Sequence, residues 1–227
     1  MDVKRAVDIV VGTVLAMLAI PVILVFSIGS AITLRAWPIF VQDRVGRSGR
    51  VFRLPKVRTL PVDTASATDK YALSEVRIPA FGRFLRRTHL DELPQLLLVP
   101  FGLMSLVGPR PEMPDVMDRY PADFVAERTR VRPGCTCLWQ LSHSADKLIY
   151  EAPEYDRAYL HHSGPLLDAW ILYRTARSWL PKASAIELTD LPVWACRPAF
   201  PKSALVEPEG PTVRHAARAR VESAAYD

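Results

Sequence analysis

The chain begins with a long, nearly unbroken run of apolar residues. From residue 9 to residue 34 the run is interrupted only by small or hydroxyl-bearing residues and one proline, Pro21. A straight helix over this run would be about 39 Å long at roughly 1.5 Å per residue. Because this exceeds the roughly 30 Å hydrocarbon core of a bilayer, the pattern predicts a membrane helix.

Basic residues lie on both sides of this run. Lys4 and Arg5 precede it, and the residues that follow are Arg35, Arg44, Arg47, Arg50, Arg53, Lys56 and Arg58. Since positive charge beside a membrane segment stays cytoplasmic, both ends are expected on that side. Pro21 removes a backbone donor near the midpoint and favours a local break. We therefore predict a re-entrant helix-break-helix over residues 1–36. A simple span is the alternative, and the length of the run disfavours a cleaved signal peptide.

After this run the pattern predicts a β-hairpin and then mostly helices. Ile39–Val45 and residues 50–57 surround a glycine-containing turn at 46–49, which is typical of a hairpin. Helices are expected within 77–104, with interruptions at Pro94 and Pro100, and at 121–129, 155–160 and 166–179. Loops are expected at 61–74 and 105–114, and a short strand at 136–141.

Prolines recur after residue 180, and the helical periodicity is lost. Residues 181–227 are therefore predicted to form a Pro-rich, largely irregular tail. The predicted fold is α+β and mostly helical. It has an N-terminal re-entrant membrane helix at residues 1–36, a membrane-surface domain with a small β-hairpin at 37–180, and the tail.

Composition restricts the possible functions. The 227-residue chain has a formal net charge of +5, and its pI is about 9.3. Basic residues beside a membrane segment attract anionic headgroups by about 1 kcal/mol each, which is the expected role of most of the 44–58 cluster. Nucleic-acid binding is disfavoured, because no zinc-finger spacing, heptad or stacking aromatic motif accompanies the charge. Cys135, Cys137 and Cys196 are expected to be free thiols.

The densest polar motif is Arg86-Arg-Thr-His-Leu-Asp91-Glu92-Leu-Pro-Gln. Adjacent carboxylates beside basic residues suit a phosphate-handling site, where one carboxylate attacks phosphorus and the other holds a metal or moves a proton. The structural alternative is a helix start, because Thr88 and Asp91 have the spacing of a capping box. Both interpretations can hold, since a helix N-terminus also binds phosphate.

Two proline-containing turns each carry an arginine. The segment Gly108-Pro-Arg110-Pro-Glu112 places one arginine on a rigid loop, which suits a clamp for phosphate or carboxylate. The segment Arg132-Pro-Gly134 allows the same interpretation, although a structural turn is the simpler one.

Taken in order, these motifs resemble those of the bacterial sugar transferases, the monotopic phosphoglycosyl transferases that act on polyprenol phosphate. The resemblance covers about residues 3–176. It rests on Lys4-Arg-Ala-Val-Asp8, Val45-Gly-Arg-Ser-Gly49, Lys56-Val-Arg-Thr59, Gly82-Arg-Phe-Leu-Arg86, Leu90-Asp-Glu-Leu-Pro-Gln95, Met104-Ser-Leu-Val-Gly-Pro-Arg-Pro111, Arg132-Pro-Gly134 through Trp139-Gln140, and residues 155–159 and 168–175.

The resemblance implies transfer of a phosphosugar from a nucleotide-sugar, usually UDP-linked, to undecaprenyl phosphate. The reaction would take place on the cytoplasmic face of the bacterial plasma (inner) membrane, with residues 37–180 as the catalytic domain. Asp91 would be the nucleophile of a covalent phosphosugar intermediate, releasing UMP, and Glu92 would assist proton transfer or metal placement. A Mg²⁺ ion at Asp91 and Glu92 would offset the diphosphate charge.

The resemblance also assigns substrate contacts and partners. The residues expected to bind substrate are Arg86, Arg110, Lys56, Arg58 and Arg132. The expected partners are undecaprenyl phosphate, the nucleotide-sugar and membrane lipids, with no nucleic acid. A homodimer remains one alternative for the oligomeric state, and the identity of the sugar is open.

Four positions depart from the family pattern. His89 stands where serine is usual, Leu103 replaces an aspartate, Cys137 replaces a glycine, and Ile20 replaces a serine. Leu103 and Cys137 motivate an alternative, a non-catalytic membrane-surface homologue that lost turnover. Because the adjacent carboxylates are intact, an active enzyme is favoured.

Overall fold

The computed structural model describes residues 3–62, 78–145, 147–179 and 184–196. All of them belong to one compact unit that ends at Cys196. Residues 197–227, which include most of the predicted tail, lie outside the described residues, as does most of the predicted 61–74 loop.

Helix α1, Val3–Leu34, has 32 residues and is long and apolar enough to cross a membrane. Pro21 lies inside this helix without interrupting it, so the break predicted at Pro21 is wrong. The predicted re-entrant path stays a prediction. Residues buried in the protein recur every three or four positions and form one stripe: Asp8, Gly12, Ala16, Ala19, Ile23, Ser27 and Ser30. The other faces expose apolar side chains such as Val10, Leu18 and Val25, as expected for a helix in contact with lipid.

Both ends of this stripe make polar contacts with the compact unit. The Asp8 carboxylate accepts hydrogen bonds from the Ser105 hydroxyl at 2.8 Å and the Leu106 amide at 3.0 Å. Near the other end, the Ser30 hydroxyl donates to the Arg58 carbonyl at 2.6 Å. The stripe of α1 therefore packs lengthwise against the rest of the unit.

The predicted hairpin is confirmed. Strands β1 (Ile39–Val45) and β2 (Val51–Val57) pair antiparallel, with Ile39 opposite Val57 and Val45 opposite Val51. Because side chains alternate along a strand, Gln42, Arg44 and Lys56 project from the same face of the hairpin.

Two helical elements follow, and they revise two details of the prediction. Helix α2 spans Ala80–Arg87, and a 3₁₀ helix spans Leu90–Leu98. The predicted interruption at Pro94 is wrong, because Pro94 lies inside the 3₁₀ helix, where it costs one backbone donor. The predicted capping box is also wrong, since the Thr88 hydroxyl donates back to the Phe84 carbonyl at 2.8 Å.

The segment after the 3₁₀ helix contains a short parallel strand pair. Strand β3 (Ser105–Val107) pairs with β4 (Gly134–Thr136), so the predicted 105–114 loop starts as a strand. The strand expected at 136–141 is instead the end of β4 followed by helix α5, Leu138–Leu141. Between the strands lie α3 (Pro114–Met117) and α4 (Ala122–Arg128), the second of which confirms the helix predicted at 121–129.

The remaining helices complete the core. Helices α6 (Pro153–His162) and α7 (Pro165–Ser178) confirm two predicted helices. Leu167 and Ile171 of α7 are fully buried in a core that extends to Phe52 and Leu54 of the hairpin. Residues 184–196 pack on this core, with Ile186 bridged to Ser142, although the sequence placed them in the irregular tail. The mostly helical α+β fold with a small hairpin is confirmed.

Candidate active site

A cavity of about 480 Å³ lies where several parts of the chain meet. Its walls are the hairpin face, the first turn of the 3₁₀ helix, the Pro-Arg-Pro loop (residues 108–112) and residues from 139–145 and 147–149. Among the described residues, six basic and three acidic side chains line it: Arg44, Lys56, Arg58, Arg86, Arg110, Lys147, Asp91, Glu92 and Glu112. The excess of positive charge suits a polyanion such as a diphosphate.

The backbone at His89 aims the two central carboxylates into this cavity. His89 has a φ of 55°, in the left-handed region that histidine enters more readily than most residues. The chain therefore turns sharply between α2 and the 3₁₀ helix, and Asp91 and Glu92 occupy the first turn of that helix. Negative side chains there are favoured by the positive end of the helix dipole.

Glu92 is held by two cations. Lys56 Nζ donates to Glu92 Oε1 at 2.7 Å, while Arg110 donates from Nη2 to Oε1 at 2.7 Å and from Nη1 to Oε2 at 3.2 Å. Burial alone would raise the pKa of the Glu92 carboxyl, but Arg110 and Lys56 hold it well below the usual range. Glu92 therefore stays ionised and keeps both cations in place.

Asp91 lies in a different environment. Its side chain faces the cavity, and the residue is 9% exposed. Burial and the neighbouring Glu92 charge raise the pKa of the Asp91 carboxyl, against the opposing effect of Lys56 and Arg86. Within the described part of the chain, no hydrogen-bond donor holds the Asp91 carboxylate. Its oxygens therefore face the cavity, in contrast to those of Glu92.

The structure brings most of the predicted substrate-binding residues together. Arg86, Arg110, Lys56 and Arg58 all line the cavity. Arg132 does not: its Nε donates to the Gly102 carbonyl at 2.9 Å, beside Arg5 near the start of α1. The Arg132-Pro-Gly134 segment therefore has the position of a structural turn.

The hairpin contributes Arg44 and Gln42 to the cavity wall, two residues that the sequence did not predict there. Arg44 was expected to contact lipid headgroups, yet its guanidinium lies in the cavity wall and pairs with Glu112 at 3.4 Å and with Gln42 at 2.7 Å. Arg47, Arg50 and Arg53 of the same cluster are exposed. The sequence could have predicted this position of Arg44, because side chains alternate along a strand and the pairing places Arg44 on the same face as Lys56.

The cysteines take no part in this site. All three are free, as predicted, and burial raises the pKa of the Cys137 thiol to about 12. Cys137 has a φ of −154°, an extended conformation open to any residue, so the missing glycine does not distort the loop.

The donor groups at the predicted metal site suit Mg²⁺ in part. Among the described residues, no group of three or more His, Cys, Asp or Glu side chains could hold a metal ion. Both oxygens of Glu92 are engaged by cations, which argues against Glu92 as a metal ligand. The Asp91 carboxylate fits, because Mg²⁺ commonly uses one or two carboxylates together with substrate phosphates and water.

Several curated proteins are similar to this chain. It is 35% identical over 199 residues to an undecaprenyl-phosphate galactose phosphotransferase of Salmonella typhimurium, covering 80% of this chain and 41% of the relative. It is 37% identical over 194 residues to a UDP-galactose-lipid carrier transferase of Erwinia amylovora, covering 76% of this chain and 39% of the relative. It is 33% identical over 180 residues to the UDP-glucose:undecaprenyl-phosphate glucose-1-phosphate transferase of Klebsiella pneumoniae, with 76% and 39% covered. The chain thus spans about two fifths of the length of these relatives.

The chain also matches a family model. Residues 1–182, which include α1, the hairpin, the cavity and α7, match the model described as bacterial sugar transferase. With this match and the relatives above, the chain belongs to the bacterial sugar transferase family.

Proposed function

We propose that this protein transfers a phosphosugar from a nucleotide-sugar, most simply a UDP-sugar, to undecaprenyl phosphate. The observation that carries the proposal is the unlike environment of two adjacent carboxylates. Among the described residues, no hydrogen-bond donor engages Asp91, which faces a cationic cavity, whereas Glu92 is bound by Lys56 and Arg110. One carboxylate is thus available as a nucleophile beside two cations that can bind phosphate. Two of the relatives are named as transferases that act on undecaprenyl phosphate, which supports the proposed acceptor.

In the first step, an Asp91 carboxylate oxygen attacks the phosphorus that bears the sugar. The bond from that phosphorus to the bridging oxygen of the diphosphate breaks, and the nucleoside monophosphate leaves with the electron pair. In the second step, an oxygen of undecaprenyl phosphate attacks the same phosphorus. The Asp91 carboxylate is released, and the product is a lipid diphosphate sugar. A covalent intermediate lets one site serve a soluble donor and a lipid acceptor in turn.

Glu92 acts in this proposal as an anchor for cations. With its pKa held well below the usual range, it is a poor proton acceptor near neutral pH. Its two oxygens fix Lys56 and Arg110, whose remaining N–H groups are available to the donor phosphates. A Mg²⁺ ion held by Asp91 and the substrate phosphates would neutralise further charge on the diphosphate.

We also place the active site at a membrane surface, on the cytoplasmic face of the inner membrane. The buried stripe of α1, from Asp8 to Ser30, is about 33 Å long at roughly 1.5 Å per residue, close to the thickness of the hydrocarbon core. A straight span would carry one end of the stripe across the bilayer. Asp8 and Ser30 nevertheless both bond to the same compact unit, which supports a helix whose two ends lie on the same side.

A direct assay tests the proposed reaction. The purified protein in lipid nanodiscs would receive undecaprenyl phosphate, Mg²⁺ and a panel of UDP-sugars, with UMP release and lipid product as readouts. We expect turnover with at least one UDP-sugar and none for Asp91→Asn. If no member of the panel is turned over, or if Asp91→Asn equals the wild type, the proposal is wrong and the non-catalytic alternative stands. The panel also identifies the sugar.

A further inference from the structure

The Pro-Arg-Pro loop is held in place through its carbonyl groups. Two of its residues are prolines and have no N–H to donate. Four successive carbonyls, of residues 109–112, each accept a hydrogen bond: Pro109 from the Gly134 amide at 3.0 Å, Arg110 from Arg128 Nη2 at 2.7 Å, Pro111 from Arg44 Nη1 at 3.1 Å, and Glu112 from the Val45 amide at 2.8 Å. The carbonyl of Arg110 itself thus depends on a side chain outside the cavity.

That side chain is deeply buried. The Arg128 and Asp156 side chains are each 2% exposed, and Arg128 donates from Nε to Asp156 Oδ2 at 3.1 Å. The Arg128 guanidinium also lies 5.4 Å from the centre of the Tyr120 ring and 5.6 Å from that of Phe124. Asp156 and the two rings therefore fix the direction in which Arg128 presents Nη2 to the Arg110 carbonyl.

We propose that the buried Arg128–Asp156 pair is a positioning device that sets the backbone of Arg110, and through it the cation that Arg110 presents at the active site. Arg128 reaches from α4, and Asp156 from α6, so the pair transmits the packing of these two helices to the cavity. The Arg110 guanidinium then lies where it bonds both oxygens of Glu92. The effect of this pair on transfer rests on the proposed function, whereas its effect on the loop backbone does not.

The geometry requires arginine at this position. The planar guanidinium makes a bond to Asp156 and a bond to the Arg110 carbonyl at the same time. A lysine carries the same charge on a single point and lacks this fixed fork. Displacement of a substrate-positioning group by about 1 Å can cost on the order of 100-fold in rate. We therefore expect Arg128→Lys to lower kcat/KM for the nucleotide-sugar by about 10- to 100-fold.

The same two helices offer a matched control. Arg157 on α6 pairs with Glu127 of α4 at 2.9 Å and with Asp123 at 3.3 Å. This pair also joins α4 to α6, but it is partly exposed and does not contact the Pro-Arg-Pro loop. Because a partly exposed ion pair contributes little to stability and this one does not bond the loop, we expect Arg157→Lys to change kcat/KM by less than about twofold.

A double-mutant cycle separates positioning from a general loss of folding. Arg110→Ala removes the guanidinium that Arg128 is proposed to position. The kcat/KM of the double variant, Arg128→Lys with Arg110→Ala, should therefore lie within about threefold of that of Arg110→Ala alone. Such a result would show strong coupling between the two residues. If the two losses multiply instead, Arg128 acts on stability and the proposal is overturned. Should Arg128→Lys not fold, Asp156→Asn, which keeps the shape of the pair, takes its place in the cycle.

Hydrogen exchange provides a readout that does not depend on activity. Deuterium uptake by the peptide that carries the amides of Gly108, Arg110 and Glu112 should increase in Arg128→Lys and stay at the wild-type level in Arg157→Lys. Equal uptake in both variants would overturn the positioning role. If the wild type shows no transfer with any UDP-sugar, the proposed function fails, and this exchange comparison alone decides the inference.

Discussion

Replacement of Glu92 by glutamine separates the role of this residue as an anchor from any role as a proton acceptor. The substitution keeps the shape and removes the charge that neutralises Lys56 and Arg110. Both cations then remain in a site where their side chains are 16% and 23% exposed, without a carboxylate partner. Because a buried charge without its partner is costly, we expect a marked loss of stability at neutral pH.

The size of the loss follows from the contacts. Removing one partner of a buried ion pair costs about 3–5 kcal/mol. Glutamine retains one carbonyl oxygen, and a hydrogen bond to it offsets about 1 kcal/mol. We therefore expect a loss of about 2–4 kcal/mol, which corresponds to a fall in Tm of about 5–15 °C for a chain of this size.

The stability difference should depend on pH in a defined direction. The folded protein holds the pKa of Glu92 below its value in the unfolded chain. The contribution of the Glu92 charge is therefore complete above the usual glutamate range and is lost as the pH falls through the lowered pKa. The gap in Tm between wild type and Glu92→Gln should be widest at neutral pH and should close in acid.

Thermal unfolding in nanodiscs, followed by tryptophan fluorescence, measures this gap. The control is Glu127→Gln, which breaks the partly exposed pair with Arg157 and should cost at most about 1 kcal/mol. If Glu92→Gln unfolds at the temperature of Glu127→Gln, or if the gap widens in acid, then Glu92 is not the anchor of the two cations.

Three further outcomes are expected. The transfer rate should fall in acid as Asp91 is protonated. Because the Glu92 charge contributes to the raised pKa of Asp91, Glu92→Gln should move this fall to lower pH. A pH–rate profile without that shift would contradict the coupling of the two carboxylates. Cysteines introduced at residues 2 and 36 should both resist a membrane-impermeant reagent in intact cells, whereas labelling of residue 2 from outside would indicate a spanning helix. Phe101 lies beside α1 and is 80% exposed. Brominated lipids should quench the fluorescence of a tryptophan in Phe101→Trp more strongly than that of one in Val193→Trp. Equal quenching would show that residue 101 does not contact the membrane surface.

The sequence predicted the elements whose signals are local. The hairpin alternates around a glycine-containing turn, so both its strands and its pairing were found. Helices α6 and α7 follow from apolar periodicity. The Asp91–Glu92 pair was identified because two acids beside basic residues are adjacent in sequence, and its position at a helix start followed as well.

The missed features depend on contacts between distant residues. Strands β3 and β4 have three residues each, too few to show alternation, and they pair across almost thirty positions. Arg128 lies in an ordinary helical segment, and only the fold brings it to the carbonyl of Arg110. Arg132 illustrates the converse, since a motif-like segment turned out to lie away from the cavity.

The measurement that tests the central claim most directly is the mass of the protein after exposure to the donor alone. Enzyme free of undecaprenyl phosphate would be mixed with a UDP-sugar and Mg²⁺, quenched and digested. We expect about one UMP per protein and a phosphosugar mass added to the peptide that contains Asp91, with neither in Asp91→Asn. UMP that appears only when undecaprenyl phosphate is present, with no mass added to Asp91, would contradict the covalent route and indicate direct transfer between the two substrates.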